Sequence, residues 1–234
     1  MPPPERLRGI LRRMRLRLPL LSAALVAVAI SAAPAHALSV AGCSSAKPAT
    51  AGEAKPSFKK PATVLAKGKR YALAMTTSCG VIRIVLDRKL GGPIPNSVAF
   101  LSGKHFFDGL TIPRVIGGYI LQGGDPRGDG TGDPGYAVVG ALPRSYRYKI
   151  GDVAMAKTSL DPAGAAGSQF FVISGSQGTQ LPPDYGLLGH AVDAASLATI
   201  RRIDGLATTA CGNPNGCPPV KKVWITGTRL IRLS

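Results

Sequence analysis

The chain has 234 residues, 45% of them apolar, and a formal net charge of +17. That length suits one domain with appendages, large enough to bury a core without dense cross-linking. The charge divides as +5 over residues 1–43, +6 over 44–70 and +6 over 71–234. The globular part is therefore only mildly basic. It lacks the clustered charge and stacking aromatics of a phosphate-tracking groove, so no nucleic-acid partner is expected.

The N-terminus reads as an export signal. Arg6, Arg8, Arg12, Arg13, Arg15 and Arg17 form a basic start, and Leu18 to Ala35 carries no charge. Val40-Ala41-Gly42-Cys43 resembles a bacterial lipobox. Residues 1–42 are then a signal peptide, and Cys43 is the lipidation site of a membrane-anchored lipoprotein. Ala35-His36-Ala37 offers an alternative cleavage site that would release a secreted chain. An uncleaved membrane helix is the third reading. All three place the rest of the chain outside the cytoplasm. Residues 43–67, rich in Lys, Ala and Pro and without an apolar period, are expected to be a flexible tether. Disulfides persist in that compartment. Cys211 could pair with Cys217, or Cys79 with either, and spacing does not choose between them.

From residue 68 to 234 the pattern is mainly β. Tyr71–Thr77 and Val81–Leu86 alternate around a Ser78-Cys79-Gly80 turn and predict a hairpin. Pro95-Asn96 opens a short helix with Val98, Ala99 and Leu101 on or near one face. Short apolar runs follow at 110–116, 119–121, 153–156, 169–173 and 187–192. A second helix is expected over 194–203 and a closing strand over 223–233. About eight short strands with two helices predict an antiparallel barrel or sandwich rather than a βαβ fold.

No HExxH, paired CxxC or GxSxG motif occurs, so no metal or other cofactor is expected. His105 and His190 read as structural residues. Gly130-Thr131-Gly132-Asp133-Pro134-Gly135 matches GxGxxG, but it follows a Gly/Asp loop and Pro134 opposes a helix, so a dinucleotide site is excluded.

What remains is Arg114-Val115-Ile116-Gly117-Gly118-Tyr119-Ile120-Leu121-Gln122-Gly123-Gly124-Asp125, then Met155-Ala156, then Gly167-Ser168-Gln169-Phe170-Phe171, then Leu181 to Gly189. In order and spacing these segments resemble the cyclophilin family of peptidyl-prolyl cis-trans isomerases over about residues 68–233. The resemblance implies an eight-stranded antiparallel β-barrel capped by two α-helices. It implies isomerisation of X-Pro bonds in proline-containing polypeptides, here assisting the folding of extracytoplasmic proteins, by a monomer. By resemblance Arg114 is the catalytic cation, and Gln122 helps orient it or the substrate carbonyl. Tyr119, Met155, Phe171 and Leu181 line the proline pocket. Ala156, Lys157 and Gln169 border the bound backbone, and Tyr185 stands where His is frequent.

The chain departs from the family's FHR triplet at Ile112-Pro113-Arg114 and from its frequent Trp near Gln180. These departures raise the alternative of a binding module or holdase with little turnover. Alternation also implies that Phe170 and Phe171 face opposite ways, so that only one can line the pocket.

Overall fold

The computed structural model describes residues 42–191, 193–206, 208–210 and 216–234. The export signal and Cys211 lie outside the described residues. The elements in chain order are β1 (Arg70–Thr77), β2 (Gly80–Leu86), α1 (Ile94–Gly103), β3 (Arg114–Ile116), β4 (Ile120–Gly123) and β5 (Val138–Val139). They continue with β6 (Asp152–Met155), β7 (Ala165–Ala166), β8 (Phe170–Ile173), a 3-10 turn (Ser176–Gln180), β9 (Leu187–His190), α2 (Ala194–Asp204) and β10 (Ile225–Leu233).

Eight of the strands form one antiparallel sheet in the order β10-β1-β2-β9-β6-β8-β4-β3. The sheet curls. Its ends meet where residues 109–112, just before β3, bond the segment entering β10. Ile112 N donates to Val223 O (2.9 Å), Ile225 N to Leu110 O (2.8 Å) and Gly109 N to Ile225 O (2.7 Å). The expected mainly β, eight-stranded architecture with two helices is therefore what forms. The run 110–116 yields only a three-residue strand, because Pro113 has no N–H to give a ladder and residues 109–112 bond elsewhere.

Alternation along the strands sorts side chains to two faces. One face carries Leu73, Met75, Ile82, Ile84, Leu121, Val153, Met155, Phe170 and Val172 into the main core, which α1 and α2 complete with Leu101, Ile200 and Ile203. Helix α2 is capped by Asp193. Its carboxylate accepts from Ser196 N (2.9 Å) and from Ser196 Oγ (2.8 Å). Arg201 and Arg202 in its last turn match the helix dipole. Arg202 also donates to Cys79 O (2.5 Å), tying α2 to the β1–β2 turn.

Residues 43–67 are not a free tether; they form a strap docked on the domain. Cys43 and Leu65 are buried in the main core. Phe58 meets Phe100 edge-on at 5.1 Å, and Phe58 N donates to Pro134 O (2.8 Å). The side-chain amide of Asn96 accepts from Val64 N and Leu65 N and donates to Ala62 O. The polar composition that suggested flexibility hides these few anchors, each a single residue rather than a periodic face.

Cys43 is disulfide-bonded to Cys79, 36 positions on. Cys217 is also disulfide-bonded, separately from this pair. Of the pairings left open by the sequence, those joining Cys79 to Cys211 or Cys217 are thus excluded, and the bond to Cys43 was not among them. The sulfur expected to carry an acyl chain is a disulfide sulfur in this structure, and one sulfur cannot hold both bonds. Among the described residues no helix is long and apolar enough to cross a membrane.

Candidate functional site: a cation beside an apolar pocket

Four neighbouring strands place the site. Arg114 on β3 lies opposite Gln122 on β4, Gln122 lies opposite Phe171 on β8, and Phe171 lies opposite Ala154 on β6. Directly opposed residues share a face of the sheet, so these side chains project together, away from the main core. Two residues along, Ile120 faces Ile116 and Ile173 on the same side.

The result is a second apolar cluster. Ile120, Ala154, Phe171, Ile173 and Leu187 are buried in it, and Tyr119, Ala156, Leu181 and Tyr185 wall it while partly exposed. Tyr185 meets the Phe171 ring edge-on at 5.2 Å. Tyr148 locks this rim from beneath, donating to Tyr185 O (2.5 Å).

Arg114 donates through Nη1 to Gln122 Oε1 at 2.6 Å. Gln122 Nε2 donates in turn to Gln169 Oε1 at 3.2 Å. Burial lowers the pKa of the guanidinium, partly countered by the hydroxyls of Tyr119 and Tyr185 nearby. An arginine so shifted remains fully charged at neutral pH. The site therefore sets a permanent, partly desolvated cation at the edge of an apolar pocket. Burial likewise raises the Tyr119 pKa, with Tyr185 adding to the effect and Arg114 opposing it.

Most sequence-expected residues converge here. Arg114, Gln122, Tyr119, Ala156, Gln169, Phe171, Leu181 and Tyr185 do so. Lys157 borders it at one remove. Its Nζ lies 2.8 Å from Asp184 Oδ2, which raises its pKa, and 5.6 Å from the centre of the Tyr185 ring. Met155 is the exception. It is fully buried in the main core opposite Phe170. Strand parity puts Ala154 and Ala156, not Met155, on the Phe171 side.

Two residues at the site were missed. Ile120 fills the pocket that Met155 was expected to fill, and counting back two from Gln122 would have found it. Asp204 at the end of α2 holds the β3–β4 turn, both its oxygens accepting from Gly118 N at 3.1 Å. No sequence pattern signals that contact. Ile112, the departure beside Arg114, packs into the main core and away from the groove. Gln180 is exposed and its amide only reaches Thr179 Oγ1. Among the described residues no cluster of His, Cys, Asp or Glu could hold a metal ion.

The family model described as "Cyclophilin type peptidyl-prolyl cis-trans isomerase/CLD" matches residues 72–229, a span that includes every element of this site. The chain belongs to the cyclophilin family. A probable peptidyl-prolyl cis-trans isomerase B of Mycobacterium leprae is 34% identical over 185 residues, covering 73% of this chain and 58% of its own. Its Mycobacterium tuberculosis counterpart is 32% identical over 174 residues, covering 69% of this chain and 54% of its own. The chain thus spans a little over half the length of these relatives. A crystal structure of a Cryptosporidium parvum cyclophilin, determined in the presence of the dipeptide Ala-Pro, superposes with a TM-score of 0.59. That pair is 23% identical, and the match covers 70% of this chain and 99% of the other.

Outside the groove, this cyclophilin holds His190 between two carboxylates. Nδ1 lies 2.8 Å from Asp152 Oδ1, and Nε2 lies 3.2 Å from Asp87 Oδ2. Asp152 also accepts from Tyr146 Oη (2.7 Å) and Lys149 N (2.9 Å). The bond to Asp152 raises the His190 pKa above its ordinary value, against the opposing effect of burial, with Asp87 adding to the rise. For Asp87, burial is the largest single influence and acts upward. Bonds from Leu90 N, His190 and Lys89 N outweigh it and bring the pKa down.

The signs fix the pH window. A raised histidine contributes stability in full below its unfolded value, about 6.5, and loses it as pH rises through the folded value. Depressed Asp87 contributes above its unfolded value and loses that contribution as pH falls through its folded one. His190→Gln should therefore lower the melting temperature most near pH 6 and progressively less toward pH 9. Thermal unfolding across that range checks this, and a pH-independent gap would remove the charge from the account.

Proposed function

We propose that this cyclophilin catalyses cis-trans isomerisation of X-Pro bonds in polypeptides outside the cytoplasm, as a monomer, and so assists their folding. The observation that carries the reading is the 2.6 Å Arg114–Gln122 bond at the edge of the Ile120–Phe171 pocket. Rotation about a peptide bond faces a barrier of about 18–20 kcal/mol because amide resonance must break. At the top of that barrier the proline nitrogen is pyramidal and carries a lone pair. In either planar ground state it has none to offer. A guanidinium N–H placed to bond that lone pair favours the twisted state over both ends of the reaction.

In this reading the apolar cluster takes the proline ring. Gln122 fixes the guanidinium plane, and Ala156 and Gln169 border the substrate backbone. The Ala-Pro dipeptide used with the Cryptosporidium relative is consistent with such a ligand. No covalent step and no redox change are required. The test is two-dimensional exchange NMR on a short X-Pro peptide with the purified chain. Enhanced cis-trans exchange supports the isomerase. Peptide-induced shifts without enhanced exchange would instead support a binding module or holdase.

The location is part of the proposal. The basic and apolar N-terminal pattern and two disulfide-bonded cysteine sites both favour an oxidising compartment. The lipobox and the Cys43–Cys79 bond compete for one sulfur, and the bond supports export of an unacylated, secreted chain. Intact-mass measurement on chains recovered from the native host checks this. A mass without acyl chains and two hydrogens short per disulfide is expected. A diacylglyceryl mass on Cys43, with Cys79 as free thiol, would instead establish the lipoprotein.

A further inference from the structure

The relay that begins at Arg114 does not end at Gln169. Gln169 Nε2 donates to Gly130 O (2.9 Å) and to Gly132 O (3.0 Å). Those two carbonyls can only accept, so they fix which end of the Gln169 amide faces them. Its Oε1 is then turned to Gln122 Nε2, and Gln122 Oε1 is turned to Arg114. The donor-acceptor direction of the whole chain is set at its outer end.

That outer end is a glycine-rich loop wound around one carboxylate. Asp125, only 6% exposed, accepts through Oδ2 from Gly130 N (2.5 Å) and through Oδ1 from Gly132 N (3.0 Å) and Arg127 N (2.9 Å). The same two residues thus give their N–H groups to Asp125 and their C=O groups to Gln169. Gly130 has φ +91°, and a Cβ on Gly132 would stand 2.1 Å from Asp125 Oδ1. Both positions therefore demand glycine for the loop to close on the carboxylate. Asp129 braces the segment between them by accepting from Thr131 N (2.8 Å).

We infer that Asp125 is a positioning residue for Arg114, acting through the Gly130 and Gly132 carbonyls, Gln169 and Gln122. This rests on the isomerase reading above. Asp125 accepts from loop N–H groups and is not part of the apolar cluster, so its effect should fall on the transition state and not on capture of proline. Asp125→Asn keeps the side chain's size but places an NH2 against one set of backbone donors. The loop must turn, and with it the carbonyls that hold Gln169.

The experiment measures isomerisation at saturating X-Pro peptide, peptide affinity and the ¹⁵N resonances of the Arg114 guanidinium in the full chain. For Asp125→Asn the maximal rate should fall about ten- to a hundredfold, the scale set by ångström-level misplacement. Affinity should stay within about twofold, since the apolar pocket that supplies it is unchanged. The Arg114 resonances should shift. Gln169→Met cuts the relay without touching the carboxylate, and should reproduce the rate loss and the Arg114 shift should Asp125→Asn fail to fold.

An Asp125→Asn chain that folds with unchanged maximal rate and unchanged Arg114 resonances would overturn the inference. So would a loss confined to affinity or to melting temperature in both variants. If the unmodified chain fails to accelerate exchange, the isomerase reading falls separately. The Arg114 shift then still decides whether Asp125 orients the guanidinium.

Discussion

Arg114→Ala should lower the rate of X-Pro isomerisation by about 10²–10³-fold, the loss typical when one preorganised donor to a developing lone pair or charge is removed. The fold should survive. Arg114 lies on a three-residue strand at the end of the sheet and is only partly buried. Its loss frees Gln122 Oε1 toward solvent and opens no cavity in the main core. Arg114→Lys should fail to restore the rate. An ammonium lacks the planar fork that lets one group bond Gln122 while presenting a second N–H at a fixed angle. Exchange NMR on the two variants, with circular dichroism to verify folding, gives the answer. Activity within about fivefold of the unmodified chain would take the chemistry away from this residue.

The second large effect concerns stability. Breaking the Cys43–Cys79 bond by Cys79→Ser should cost roughly 3–4 kcal/mol, the chain-entropy expectation for a loop of 36 residues. For a domain of this size that corresponds to a fall of about 6–16 °C in melting temperature. Cys79 is fully buried, so the serine hydroxyl adds a desolvation penalty of the same sign. The bond lies at the β1–β2 turn, away from Arg114 and Phe171, so isomerisation at 25 °C should be nearly unchanged. Thermal unfolding monitored by circular dichroism measures the drop. A change under about 1 kcal/mol would mean that closing the strap contributes little to the folded state.

The strands were legible because alternation is a strong signal when one face is buried. β1 and β2 carry it over eight and seven residues, whereas β8 is a short run that is apolar and buried throughout. β5 and β7 pair over only two residues each, too few for any period to show. The strap was missed for a different reason. Its hold depends on Phe58, Leu65, one asparagine amide and a disulfide, and isolated anchors leave no pattern in a polar stretch. Spacing likewise could not reveal that Cys79 reaches back to Cys43.

At the site, the residue types and their order carried Arg114, Gln122, Gln169 and Phe171 correctly to one face. Met155 was misplaced because a motif states which residues are present, not which side of a strand they face. Ladder register settles that: Met155 opposes Phe170, while Ala154 opposes Phe171. Asp204 and Asp125 act through backbone groups of distant or folded-back segments, Gly118 for one and Gly130 and Gly132 for the other. Such contacts exist only once the chain has closed on itself.

That closure has a consequence for how the molecule is made. β1 is flanked by β2, its immediate successor, and by β10, the last strand of the chain. During synthesis the first strand waits with one edge unpaired until the final segment arrives. Topologies dominated by such end-to-end pairing fold slowly, and an open edge is where chains associate wrongly. The first hairpin carries its own partial remedy. Cys43 and Cys79 both emerge early, and Ser44 N bonds Ser78 O (2.7 Å) beside them. Once that bond closes, the strapped hairpin is held together by contacts that do not depend on the strand that completes it.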